Sequence, residues 1–208
     1  MLAGQRFTEI AELTAKRTRA LGILVSLSYD SDPLIAWRSV EAIGVAADRV
    51  AEDSKRPVRN ILRRLHWLLS EECGGYCPLA PQAMAEIVRR RPEMFAEYGG
   101  IVTTLLQSMA EEDLKFFRPG VLWAIGRLAP VAKEQFGWVL PQVVAALDDA
   151  DSQARGMAVW CLLQADREDL LEDRADLAAD EGAVELYEDG KLVRTSVSAL
   201  LRLHGHAH

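Results

Sequence analysis

Apolar and polar positions follow helical spacing along most of this chain, and one pattern returns at nearly constant intervals. The blocks SVEAIG, APQAMA, VLWAIG and AVWCLL end at Gly44, Ala85, Gly126 and Leu163, which are 41, 41 and 37 residues apart. Each block places a small residue, then a large apolar one, then usually another small one. Between them lie the amphipathic runs PVRNILRRLHWLLS, GIVTTLLQSMA and FGWVLPQVVAALDD. Their apolar residues recur three and four apart, as in Val58, Ile61, Leu62, Leu65, Leu68 and Leu69. A period near 40 residues predicts helix pairs that stack side by side and share one extended interior. Val40, Ile43, Leu122, Ile125, Val159 and Leu162 are the expected core residues of the second helices.

The flanks agree. DSDPLIAW sets acidic residues and Pro33 ahead of the first block, and EEDLKFFRPG and DDADSQARG do the same for the third and fourth. Upstream, the run from Phe7 to Tyr29 predicts one long helix or two short ones. The tail differs in kind. AVELYEDGKLVRTSV alternates around Asp189–Gly190, a pair suited to a tight hairpin turn, and a short helix follows in SVSALLRLHG. The expected organisation is a helical body over 1–180 and a hairpin-plus-helix cap over 181–208, covering the apolar end of the stack.

The stretch FRPGVLWAIGRLAP resembles the second helix of a HEAT repeat, in the variant called phycobilisome-lyase HEAT-like. Asp113, Arg118, Val121, Ala124, Ile125 and Gly126 fill most slots of that motif, as do Asp151, Arg155, Ala158, Cys161 and Leu162 in the fourth copy. The first copy holds Ala36 and the second Cys77 where arginine is expected. The resemblance spans about residues 30–165. It implies an all-α fold, a right-handed α-α superhelix (HEAT-like solenoid) of about four helical-hairpin repeats. Arg118 and Arg155 would form an Asp–Arg ladder with neighbouring turns, and the second helices would line the concave side. Relatives of the repeat include phycobilin lyase subunits and HEAT-like alkylpurine DNA glycosylases. An enzyme or accessory factor is therefore the alternative to a non-catalytic scaffold.

Reading across the repeats, the concave row is Trp37, Glu41, Glu86, Trp123, Arg127, Trp160 and Gln164, with Gln82 between them. Steps of four keep such residues on one helix face. Stacked tryptophans beside an arginine have the composition of an interaction hot spot, so a protein partner is expected there. Trp67 and Trp138, on first helices, are expected in the core.

Charge narrows the partner. With 31 Asp and Glu against 24 Lys and Arg, the net charge of −7 disfavours nucleic acid. The basic residues nonetheless crowd the middle, from Lys55 to Arg64 and at Arg89, Arg90 and Arg91, so Arg59, Arg63 and Arg64 form a candidate anion patch. The run from Asp148 to Asp189 is strongly acidic. No apolar stretch of about 18 residues predicts a membrane span. The start lacks a basic segment leading into an apolar one, and three cysteines are too few for a disulfide framework, so a reducing cytoplasm is expected.

The pair Cys73 and Cys77 flanks Gly74–Gly75. It supplies two metal ligands where a structural zinc site wants about four, with His66 as a distant third. The expected role is an inter-helix turn, with a metal or thiol sensor as the alternative. HGHAH at the C-terminus offers alternate imidazoles or a frayed end. There is no phosphate-cradling glycine loop, nucleophile elbow or H-E-x-x-H motif. No catalytic residue and no cofactor are expected.

Overall fold

The structure, a computed structural model, describes residues 1–69, 77–111 and 115–204. The described chain is mostly helical, with a small C-terminal two-stranded antiparallel sheet. Its contacts define two compact units, Met1–Gly99 with Asp189–Lys191, and Gly100–Glu188 with Leu192–His208.

In the first unit the upstream run resolves into two short helices, α1 (Phe7–Lys16) and α2 (Ala20–Leu27). The long helix α3 (Pro33–Asp53) begins where the sequence signals it. Asp32 accepts from the Leu34 and Ile35 amides at 2.9 and 3.4 Å, and Pro33 occupies the first turn, where its missing N–H costs nothing. Helix α4 (Lys55–Trp67) is capped by the Ser54 hydroxyl, and α5 (Ala80–Arg90) follows. Helix α3 packs against α1, α2, α4 and α5. From Ala36 to Ala47 only Trp37, Glu41 and Val45 on α3 reach solvent, one line of residues four apart. Small residues permit this density. A Cβ on Gly44 would lie 2.8 Å from the Glu86 carbonyl oxygen, so the α3 and α5 backbones all but touch.

The second unit holds α7 (Arg118–Leu128), α8 (Lys133–Ala145) and α9 (Ser152–Gln164), with α6 (Pro92–Glu111) entering it from Gly100 onward. Helix α7 carries Pro119 in its first turn and has no side-chain cap, whereas Asp151 caps α9 by accepting from the Gln153 backbone amide at 3.0 Å. Every residue of α9 from Gly156 to Leu163 is buried. On one side lies α7, where a Cβ on Gly126 would sit 2.6 Å from Trp160 Cζ3. On another lies the strand β1 (Ala183–Glu188), whose Val184 would meet a Cβ on Gly156 at 2.4 Å. Helix α10 (Ala175–Ala178) and the closing helix α11 (Val197–His204) complete the unit. The expected core residues Val40, Ile43, Leu122, Ile125, Val159 and Leu162 are all fully buried.

The hairpin forms as expected between β1 and β2 (Lys191–Ser196), with φ of 47° at Asp189 and 74° at Gly190. Two successive positive φ values match the twist of a two-residue turn, and glycine tolerates its share without strain. The first turn of α9 holds β1 by its edge. The Gln153 side chain donates through Nε2 to the Glu185 carbonyl (2.8 Å) and accepts at Oε1 from the Glu185 backbone amide (2.7 Å), while Ser152 Oγ donates to the Ala183 carbonyl.

Gly126→Ala forces a methyl into the Trp160 ring and lowers stability by about 1–3 kcal/mol. Gly137→Ala in exposed helix α8 meets no atom within 4 Å and raises it by about 0.5–1 kcal/mol. Urea midpoints of the two variants check this; a neutral Gly126→Ala would contradict the close packing of α7 on α9.

Candidate functional site

The predicted row divides by burial. Trp123 and Trp160 do lie in register, with ring planes 4° apart and centroids separated by 6.0 Å. They are not open: each is only 2% exposed, which corrects the expectation that they face a groove. The cover is the hairpin. The Tyr187 ring meets Trp123 edge-on at 6.3 Å, and Trp123 Nε1 donates to the Tyr187 carbonyl at 3.0 Å. The Arg127 guanidinium lies 5.4 Å from the Trp123 ring centre and is half-buried. Trp160 Nε1 is buried with no acceptor among the described residues. Gln164, at the end of α9, is half-buried.

In the first unit Trp37 and Glu41 are half-buried on the solvent line of α3, but Glu86 and Gln82 on α5 are each 1% exposed. The expectation that Glu86 faces a groove is therefore corrected as well. The α3–α5 approach at Gly44 places Glu86 inside, where it accepts from Arg89 Nε at 2.8 Å and lies 4.0 Å from Arg90 Nε. Burial lowers the Arg90 pKa, and the Arg89 charge adds to the shift. Asp48 on α3 binds Arg91 and, through that hydrogen bond, raises its pKa; Glu52 lies 3.6 Å from the same guanidinium. The three-arginine end of α5 is thus matched by carboxylates from α3 and from α5 itself. Gln82 Oε1, one turn before Glu86, is buried without a donor among the described residues.

The Asp–Arg ladder is present in the second unit. Arg118 binds Asp149, and Arg155 Nε donates to Asp180 at 2.8 Å. Burial pushes the Asp149 carboxyl up, but the Asp151 amide and Arg118 outweigh it and hold the group below the ordinary value. The hydrogen bond from Arg155 does the same for Asp180. Where arginine would stand in the second copy, Cys77 is fully buried 3.5 Å from Ser28 Oγ. Its partner Cys73 and residues Asp113, His206 and His208 lie outside the described residues. Burial drives the Cys161 thiol far above its usual range, so this sulfur stays protonated. No group of three or more metal-ligating side chains occurs among the described residues.

The candidate anion patch lies on α4. Arg63 and Arg64 are exposed and Arg59 is half-buried, 3.7 Å from Glu97. Arg63 donates to Asn60 Oδ1 at 3.4 Å. Trp67 and Trp138, expected inside, are 50% and 68% exposed. Their registers explain it. The buried stripe of α4 is Val58, Leu62 and Leu65, and that of α8 is Phe136, Val139 and Val143; both tryptophans fall between the stripe positions. On α8 the spacing was readable, because Trp138 stands four residues from both Glu134 and Gln142. No described helix is long and apolar enough to cross a membrane.

No protein-family model matches the chain. A protein of Archaeoglobus fulgidus described as "Uncharacterized protein" is 30% identical over 181 residues, covering 86% of this chain and 91% of that one.

Two outcomes follow from the charge geometry. Because the Asp149 and Asp180 carboxyls titrate below their unfolded values near 3.9, their contribution is complete above that pH and is lost as pH falls through the folded values. Unfolding midpoints are therefore level from about pH 7 to 5 and drop below about 4. Asp180→Asn removes part of that drop; parallel wild-type and variant curves would contradict it. Glu86→Ala leaves the Arg89 and Arg90 charges without their buried carboxylate and costs about 3 kcal/mol in denaturant titration.

Proposed function

The chain belongs to the same family as that Archaeoglobus fulgidus protein, and we propose that it is a non-catalytic helical-repeat scaffold of the HEAT-like type. In this reading the stacked helix pairs form a right-handed solenoid that binds a protein partner through the accessible members of the second-helix row. Those members are Trp37 and Glu41 in the first unit and Arg127 and Gln164 in the second.

The observation that carries the reading is the solvent line of α3. Along the middle of α3, from Ala36 to Ala47, Trp37, Glu41 and Val45 alone stay accessible, and Trp37 and Glu41 hold positions that the repeat register assigns to a binding face. The register itself is supported twice. Gly44 on α3 and Gly126 on α7 occupy the same slot of their blocks, and each brings its helix into near-backbone contact with the second helix of the next block. Rigid helices hold such side chains at fixed spacing, so little conformational entropy is lost on binding.

The test is affinity capture from native lysate with the wild type, a row variant (Trp37→Ala with Glu41→Lys) and a core control (Gly126→Ala), with melting temperatures measured for each. The row variant keeps its melting temperature within about 2 °C and loses at least tenfold of the captured partner. Capture unchanged by the row variant would overturn the proposal.

A further inference from the structure

In the second unit, α6 and α8 enclose a furrow that the row does not include. One end, a cavity of about 70 Å³, is lined by Thr103, Thr104, Gln107, Trp138 and Gln142. Next to it, and sharing Gln142, lies a hollow of about 160 Å³ lined by Leu106, Arg118, Ala145 and Ala146, with the Arg118 charge met by Asp149.

The narrow end is rich in acceptors. The Thr103 and Thr104 hydroxyls donate to carbonyls of their own helix, those of Gly100 and Ile101, each at 2.9 Å, which leaves their oxygens to accept. Gln142 Oε1 is buried and receives no hydrogen bond among the described residues. A buried acceptor of this kind is costly unless a donor arrives. Pro141 lies within α8 and has no N–H to offer the Gly137 carbonyl one turn back. Glu134 and Gln142 stand one turn to either side of Trp138, along one face of the helix. Trp138 itself, 68% exposed, leaves its indole open to solvent. The surrounding unit adds a favourable field, with nine Lys and Arg against seventeen Asp and Glu in its sequence.

An open indole flanked by a carboxylate and an unmet amide oxygen has the chemistry that receives a cation. We propose that this end of the furrow is a receptor for one basic side chain, arginine or lysine, of a protein partner. The charged group lies on the Trp138 ring and donates to Gln142 Oε1, while the Glu134 carboxylate supplies opposite charge. A small apolar side chain next to the basic one fills the adjoining hollow against Leu106, Ala145 and Ala146, where the Arg118 charge is already neutralised by Asp149. This is why the ligand is a peptide rather than a free cation. The site is separate from the α3 solvent line and stands or falls independently of it.

The probe is the peptide acetyl-Gly-Arg-Leu-amide, compared with its citrulline analogue, which has nearly the same shape but no charge. Binding is followed on ¹⁵N-labelled protein through the indole Nε1–H resonances, with Trp138 assigned from Trp138→Phe. The arginine peptide shifts the Trp138 indole and the Gln142 side-chain amide saturably in the millimolar range. The citrulline peptide binds at least fivefold more weakly. Gln142→Leu and Glu134→Gln each weaken binding threefold or more while leaving the other four indole resonances in place. No Trp138 shift at 10 mM peptide, equal binding of the two peptides, or shifts confined to other tryptophans would overturn the proposal.

Discussion

Close backbone approach at small residues is the constraint on which both units depend. Helices α3 and α9 can be enclosed by their neighbours only because Gly44, Gly126 and Gly156 leave room where a methyl group would collide with Glu86, Trp160 and Val184. The dense packing around them follows, since interiors filled to crystal-like density transmit any added volume to their neighbours. So does the burial of charge. With α3 and α5 nearly touching, Glu86 is enclosed and must be met by Arg89 and Arg90 from its own helix. Burying a carboxylate in this way is tolerated only where such partners are already in place.

The same close packing explains how two tryptophans with the composition of a binding surface became part of an interior. Trp160 packs against Gly126, Trp123 stacks on Trp160, and Tyr187 of the hairpin meets Trp123 edge-on. Each layer depends on the one beneath it.

Much of this was legible in the sequence. Helix starts at Asp32–Pro33 and Asp151, the Asp189–Gly190 turn and the six core residues of the blocks depend on local chemistry and on periodicity. Both can be read without knowing the neighbours. The fate of Trp123, Trp160 and Glu86 was not legible, because it is decided by segments distant in sequence. The hairpin that covers Trp123 lies more than sixty residues away, and Glu86 is buried by the α3 segment around Gly44, some forty residues away. The exposure of Trp67 and Trp138 is legible in the register. Their positions fall off the apolar stripes of α4 and α8, and that register prevails over the general tendency of tryptophan to be buried. Cys77 stands where the repeat pattern expects arginine, and its burial beside Ser28 depends on α2, some fifty residues away, so it too was not legible locally.

Native-state hydrogen exchange across a urea series tests the central claim most directly. If α3 and α9 are the enclosed centres of their units, the amides of Val40–Ala47 and Met157–Leu163 exchange only through unfolding of the whole unit. Their opening free energies and urea slopes then match those of global unfolding, while α1, α10 and the ends of α8 open earlier and with shallow slopes. Exchange of the α3 or α9 amides by a shallow local opening, ahead of the helices packed around them, would contradict the account.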